Sequence, residues 1–126
     1  MTARLEHVNF TTSDPDATAQ MLCDVFGWTI RWSGPALNGG RTVHVGSDDD
    51  YVAIYSPAGG PGDGGRAPER LASLNHVGVV VGDLDAVEAR TKAAGLTPMN
   101  HGSYAPGRRF YFLDADGIEY EVVSYD

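Results

Sequence analysis

The amino-acid sequence predicts an α+β fold made of two βαβββ modules, each an open sheet with a helix on its outer face. Three observations carry that reading. The chain repeats itself, a glycine- and proline-rich stretch separates the repeats, and each half switches between periods of two and 3.6. Leu5-Glu6-His7-Val8 returns as Leu74-Asn75-His76-Val77, an offset of 69 residues. The same offset carries Asp14 to Asp83, Asp16 to Asp85 and Ala17 to Ala86, holding one register from a strand start through a helix start. Beyond the helices the offset slips to 68, pairing Gly27 with Gly95 and Arg41 with Arg109. Two homologous halves are expected, at about residues 4–57 and 72–126, within a single domain.

Leu5 to Thr11 alternates, with Val8 and Phe10 on one face and His7, Asn9 and Thr11 on the other, as a half-buried strand does. Asp14-Pro15 supplies an N-cap and a proline at the first helical position. Met21, Leu22, Val25 and Phe26 form the helix's apolar stripe, and Gly27 suits its C′ position. Strands are expected at Trp28–Ser33, Arg41–Gly46 and Tyr51–Tyr55. Ser56 to Pro68 then holds five glycines and three prolines, which precludes a regular element and reads as a flexible linker. No strand feeds a Gly-x-x-x-x-Gly-Lys pattern there, so a phosphate-binding loop is set aside. The second half repeats the order. Leu74 to Val81 is a strand, and Asp83 caps a helix with Leu84, Val87, Thr91 and Ala94 inward and Gly95 as its stop. A short strand is expected between Leu96 and Asn100. Arg108–Leu113 and Ile118–Ser124 form a hairpin around Asp114-Ala115-Asp116-Gly117.

Composition limits the function. Nine basic residues against 17 acidic ones give a net charge of −8, which opposes binding to nucleic-acid phosphates. No apolar run, Val79-Val80-Val81 included, comes near the roughly 20 residues that span a bilayer. The first residues have no apolar signal core, and Cys23 alone forms no intramolecular disulfide. A cytoplasmic protein with a small-molecule ligand, and with neither nucleic-acid nor membrane partners, is expected. Cys23 has no basic neighbour in sequence to activate it and reads as structural.

Alternation decides which side chains share a surface. The valines flanking the repeated histidines face the helices, so His7 and His76 face the other way with Asn9 and Gly78. On the last strand Glu119, Glu121 and Val123 share the histidine side, and Tyr120 and Val122 face the helix. Sheets covered on one side only leave the other free to form a cup. Two imidazoles and an inward carboxylate describe a divalent-metal site, either zinc-like or the 2-His-1-carboxylate triad of non-haem Fe(II). His44 also points toward this side. With the offset of 68 it maps to Phe112, so it has no histidine counterpart and reads as an outer group or an ordinary strand residue. Trp28, Trp32 and Phe26 read mainly as core aromatics.

With the paired Leu-x-His-Val strands and the stretch from Phe110 to Glu121, nearly the whole chain resembles the vicinal oxygen chelate superfamily. That group holds glyoxalase, bleomycin-resistance and dioxygenase-type proteins. The resemblance implies paired βαβββ modules in an open, cupped mixed sheet, with His7, His76 and Glu121 as ligands one, three and four of a divalent metal (Fe2+, Mn2+ or Zn2+). Glu121 lies four residues after the turn glycine Gly117, where the superfamily's closing hairpin places its metal carboxylate. The chain departs at the second ligand position. The offset of 68 maps Glu121 to Ala53, which neither ligates nor moves a proton, so glyoxalase chemistry loses its base. Three protein ligands suit extradiol dioxygenases, whose closing motif resembles Phe110-Tyr111, Asp114, Gly117 and Glu121, with Ala115 in place of a proline. By that resemblance Tyr111 hydrogen-bonds an oxygen at the metal. His101 stands near the position of a catalytic histidine, across a slightly longer gap.

The expectation is therefore a small metal-dependent enzyme acting on a substrate with adjacent oxygens, leaning to dioxygenase-like chemistry. The alternatives are a glyoxalase-type lyase or isomerase, and a non-catalytic drug-binding protein like those that sequester bleomycin. Fosfomycin-type thiol transfer is disfavoured because no basic residue follows Arg109. Small members of the superfamily usually dimerise, so a homodimer is expected, with His7 of one chain near His76 of the other.

Overall fold

The Asp14 carboxylate accepts the amide hydrogen of Ala17 at 3.1 Å, and Pro15 follows it at the first helical position. In the computed structural model, which describes residues 2–126, these two residues open α1 (Pro15–Phe26). The helix stops at Gly27, whose φ of 72° suits a residue without Cβ. Its apolar side buries Pro15, Thr18, Ala19, Leu22 and Val25, while Met21 and Phe26 are only half-buried. Around it run β1 (His7–Thr11), β2 (Thr29–Pro35), β3 (Arg41–Gly46) and β4 (Tyr51–Ser56), with a short 3-10 turn at Leu37–Gly39. The strands pair in the order β1-β4-β3-β2, with β1 parallel to β4 and the other pairs antiparallel. Phe10, Val43, Val45, Val52 and Ile54 are buried on the face that α1 covers.

The chain divides into two compact units, one ending at Gly64 and one spanning Gly65–Asp126. The second repeats the first: β5 (Val77–Val80), α2 (Leu84–Ala93), β6 (Met99–Tyr104), β7 (Gly107–Leu113) and β8 (Glu119–Ser124), paired β5-β8-β7-β6. Asp83 caps α2 by accepting from Ala86 N at 3.0 Å. Leu84, Val87 and Thr91 of α2 are buried, as are Val79, Phe110, Phe112, Tyr120 and Val122 of the sheet. The architecture is thus two βαβββ modules, each a mixed four-stranded sheet with a helix on one face. No helix among the described residues is long and apolar enough to cross a membrane.

Several boundaries differ from the sequence reading. The strand expected between Leu96 and Asn100 starts at Met99 and runs to Tyr104. Leu96 N still donates to Thr91 O at 3.1 Å, so the helix closure consumes those first residues. Ala94 is exposed, because α2 ends at Ala93 and Ala94 is its C-cap. Trp32 is not a core residue: it lies on the edge strand β2 and is 51% exposed.

The repeat also slips once more than the sequence suggests. Glu121 pairs with Tyr111 across β7–β8, whereas Ala53 pairs with His44 across β3–β4. His44 therefore corresponds to Tyr111, not Phe112. Arg41 clasps Asp16 of α1 through two hydrogen bonds of 2.7 and 2.8 Å, and Arg108 makes the equivalent bond to Asp85 of α2 at 3.0 Å. Arg108, not Arg109, is the counterpart of Arg41. The cause is one extra residue in the later hairpin loop, five (114–118) against four (47–50).

Candidate functional site

In the second unit, the sheet face away from α2 carries a row of ionisable groups. Alternation along β8 turns Tyr120 and Val122 into the core and leaves Glu119 and Glu121 on the open side; β7 adds Arg109 and Tyr111. His76 immediately precedes β5, and its Nε2 lies 3.1 Å from Glu121 Oε1. The other carboxylate oxygen of Glu121 accepts from Arg109 Nη1 at 2.8 Å. The Tyr111 ring meets His76 edge-on at 6.1 Å. Burial, then the Glu121 charge, pushes the Tyr111 phenol up, so it stays a neutral donor at physiological pH. Glu119 accepts from Arg66 Nη2 at 2.9 Å and lies 3.9 Å from His76 Nδ1. Arg66 and Glu119 on one side, and Glu121 and Arg109 on the other, thus bracket the His76 imidazole.

The donor set fits a cation. His76 Nδ1 is 2.8 Å from Asn75 Oδ1, an atom that only accepts, so Nδ1 carries a proton. In the neutral ring the Nε2 lone pair then faces a carboxylate oxygen, acceptor against acceptor. Such a pair is favourable only with a positive charge between, either a second imidazole proton or a metal ion. Two ligands about 2.1 Å from a metal and at right angles lie about 3.0 Å apart, close to the observed separation. A cavity of about 510 Å³ opens beside Glu119, lined by Arg66, Arg70, Ser73, Leu74 and Ile118.

The first unit answers this row with rings. Tyr51 stands where the second unit has Glu119, and Ala53 stands where it has Glu121. The Tyr51 ring stacks with His7 at 5.0 Å and with His44 at 4.7 Å, and the Arg31 guanidinium lies 4.5 Å from its centroid. Trp32 meets His44 edge-on at 5.2 Å. Burial, followed by the charges of His7 and Arg31, pushes the His44 imidazole below its ordinary value. His7 Nδ1 lies 2.9 Å from Glu6 Oε1, which also accepts from the Tyr51 hydroxyl at 3.2 Å. The hydrogen bond from His7, then that from Tyr51, holds the Glu6 carboxyl below its usual range.

The structure brings His76, Glu121 and Tyr111 together. His7 sits in the first unit against Glu6 and Tyr51. His101 is not brought to the His76–Glu121 group: its Nε2 is 3.1 Å from Glu88 of α2, and its ring stacks at 6.0 Å with Phe110, whose side chain belongs to the helix-facing layer. The bulge between Met99 and Gly102 breaks the alternation that a sequence reading relies on, which accounts for this placement. Among the described residues no group of three or more His, Cys, Asp or Glu side chains is arranged to hold a metal ion. Sequence reasoning missed Arg109 as the partner of Glu121. Its Nε is buried with no hydrogen-bond partner among the described residues. The signal was present, since Arg109 shares the face of Tyr111, but the repeat register had paired it with Arg41. The Cys23 thiol is pushed up by burial and then by Asp24, the opposite of an activated nucleophile.

A sequence profile of the Glyoxalase family, described as the glyoxalase/bleomycin resistance protein/dioxygenase superfamily, matches residues 4–122. No protein of curated description matches the chain. Among solved structures, a glyoxylase/bleomycin resistance protein/dioxygenase domain from Frankia sp. EAN1pec superposes with a TM-score of 0.84 at 22% identity, covering 98% of this chain and 93% of that one. The fosfomycin resistance protein FosX from Mesorhizobium loti gives 0.71 at 25% identity, with 98% and 92% covered. FosX from Listeria monocytogenes, solved with Mn(II) and sulfate, gives 0.70 at 20% identity, with 98% and 93% covered.

Proposed function

Because the chain belongs to the glyoxalase/bleomycin resistance protein/dioxygenase superfamily, we propose that it is a small divalent-metal-dependent enzyme whose substrate chelates the ion through adjacent oxygens. The observation that carries this is the 3.1 Å approach of His76 Nε2 to Glu121 Oε1, two acceptors that call for a cation between them. His76 and Glu121 are proposed as ligands, with His7 as the third by its repeat relation to His76. The ion, when bound, supplies Lewis acidity and a template for the substrate's oxygens. Arg109 occupies one oxygen of Glu121 and leaves the other to ligate. Tyr111, a neutral donor on the same face, is proposed to hydrogen-bond a substrate oxygen.

Ala53 weighs against one of the two chemistries. A methyl group at the Glu121-equivalent position offers neither a fourth ligand nor a base, which disfavours proton-shuttling lyase or isomerase chemistry. Three protein ligands leave room on an octahedral ion for a bidentate substrate and one further small molecule, which favours dioxygenase-like chemistry. Phosphonate substrates are disfavoured because Arg66, Arg108 and Arg109 are each paired with a carboxylate, at 2.9, 3.0 and 2.8 Å.

Elemental analysis of chelator-treated, metal-reloaded protein is the test. Near-stoichiometric metal is expected in the wild type, with loss in His76→Ala and Glu121→Gln; equal traces in all three would remove the proposal. Oxygen uptake by Fe(II)-loaded protein against a catechol panel tests the dioxygenase lean, and no uptake with any member counts against it. A second reading, non-catalytic drug sequestration, draws on the half-exposed Trp32 beside His44 and Tyr51. It predicts binding of an aromatic drug by chelator-treated protein. A homodimer is also proposed, and a monomer mass by light scattering would contradict it.

A further inference from the structure

In both units the residue immediately before the histidine holds that histidine's Nδ1. Glu6 Oε1 lies 2.9 Å from His7 Nδ1, and Asn75 Oδ1 lies 2.8 Å from His76 Nδ1. Both oxygens are held in place. Glu6 accepts the Tyr51 hydroxyl at 3.2 Å, while the Asn75 amide nitrogen donates to Pro68 O at 3.5 Å. The backbone carbonyl of Asn75, a separate oxygen, accepts from Arg66 Nη1 at 3.3 Å and fixes the residue's main chain. The Asn75 amide nitrogen has its own acceptor, so its oxygen is the atom turned to the imidazole.

An oxygen that accepts at Nδ1 keeps the proton there and fixes the ring's rotation. The Nε2 lone pair is then exposed. In the other tautomer Nε2 would carry hydrogen and could not ligate. The pair survives although the two residues differ in chemistry: a carboxylate in one repeat, a carboxamide in the other. What the two share is an acceptor oxygen one residue before the ring.

We propose that Glu6 and Asn75 are repeat-related positioning residues that each hold the following histidine, His7 or His76, in the Nδ1–H tautomer and so leave its Nε2 free to ligate a divalent cation. The inference rests on the metal reading above for its ligand, and on the two hydrogen bonds alone for the tautomer.

Two measurements on the full chain test it. Zn2+ titration against a chromophoric chelator is expected to show affinity lowered roughly 10- to 100-fold in Asn75→Leu and in Glu6→Leu, with Glu6→Gln restored to within a few-fold of wild type. Wild-type affinity in both leucine variants overturns the proposal, as does a Glu6→Gln defect equal to that of Glu6→Leu. Nitrogen-15 shifts of the His7 ring in metal-free wild-type protein, above the imidazole titration range, read the tautomer without any variant. Protonated Nδ1 and bare Nε2 are expected, and the reverse overturns the proposal even if every leucine variant unfolds. Absence of Zn2+ binding by the wild type would remove the metal reading and this role with it. Unchanged wild-type binding with unaffected variants would remove this role alone.

Discussion

Asp114 shows how much one side chain organises here. Its Oδ1 accepts the amide hydrogens of Asp116 and Ile118, both at 2.9 Å, and its Oδ2 accepts the Tyr120 hydroxyl at 3.0 Å. The carboxylate is thus the centre of the loop that aims β8, and so aims Glu121. Tyr120 is fully buried, so its hydroxyl has no water to turn to. Tyr120→Phe should cost about 1–3 kcal/mol, because Oδ2 is left buried without its donor. Asp114→Asn should cost less, since the carboxamide retains one acceptor oxygen for the loop amides. Urea denaturation checks both, and a Phe variant as stable as wild type would contradict the assignment. Burial outweighs these hydrogen bonds and pushes the Asp114 carboxyl above its ordinary value. A raised folded value means the folded state holds this proton more tightly than the unfolded chain does. The resulting stability is present below the usual carboxylate range and is lost as pH rises through the folded value. Wild-type stability relative to Asp114→Asn should therefore fall as pH rises out of that range. Melts of the two proteins at matched pH measure the difference directly.

Single elements were legible where local chemistry dictates them. Asp14-Pro15 and Asp83 announce helix starts because a short carboxylate satisfies a free amide there, and both caps are formed. Asp14→Ala and Asp83→Ala should each cost about 1 kcal/mol, read as a shift in denaturation midpoint with an unchanged slope. Gly27→Ala should cost about the same for a different reason. A Cβ there meets no atom within 4 Å, so the penalty is only that of a left-handed backbone. A loss well above 2 kcal/mol would mean that packing had been overlooked. What composition and periodicity could not resolve is register. The loops 47–50 and 114–118 differ by one residue, and one residue turns every side chain of a strand to the opposite face when repeats are aligned by counting. Counting therefore matched Phe112 to His44 and Arg109 to Arg41. Pairing shows that Tyr111 and Arg108 are the counterparts. The bulge in β6 likewise interrupts the alternation between Met99 and Gly102, the stretch that carries His101.

At the scale of the whole chain, the repeat made the fold readable and its divergence made the site hard to read. His7 and His76 recur because both halves keep the strand start. Glu121 has no twin, because the equivalent position is Ala53 beneath the rings of the first unit. Each unit has its own helix-covered core, and this has a consequence for the segment between them. Residues 58–65 have neither helix nor strand and are exposed throughout, and the backbone turn closing near them is Gly60 N to Pro57 O at 3.0 Å. Beyond it the chain is tied down again, with Arg66 bonded to Glu119 and to the Asn75 carbonyl. A protease needs several residues to leave the fold and lie extended in its cleft, which costs little where few contacts are lost. Brief digestion of native protein with a protease of broad specificity should therefore cut first within residues 58–65, giving two fragments of about half the chain. Each should then resist further cleavage for longer than the intact chain resisted the first cut. Mass spectrometry of the earliest products locates the cut. Initial cleavage inside residues 7–56 or 77–124 would mean that one of the two cores opens more easily than the segment joining them, and the autonomy of the units would have to be given up.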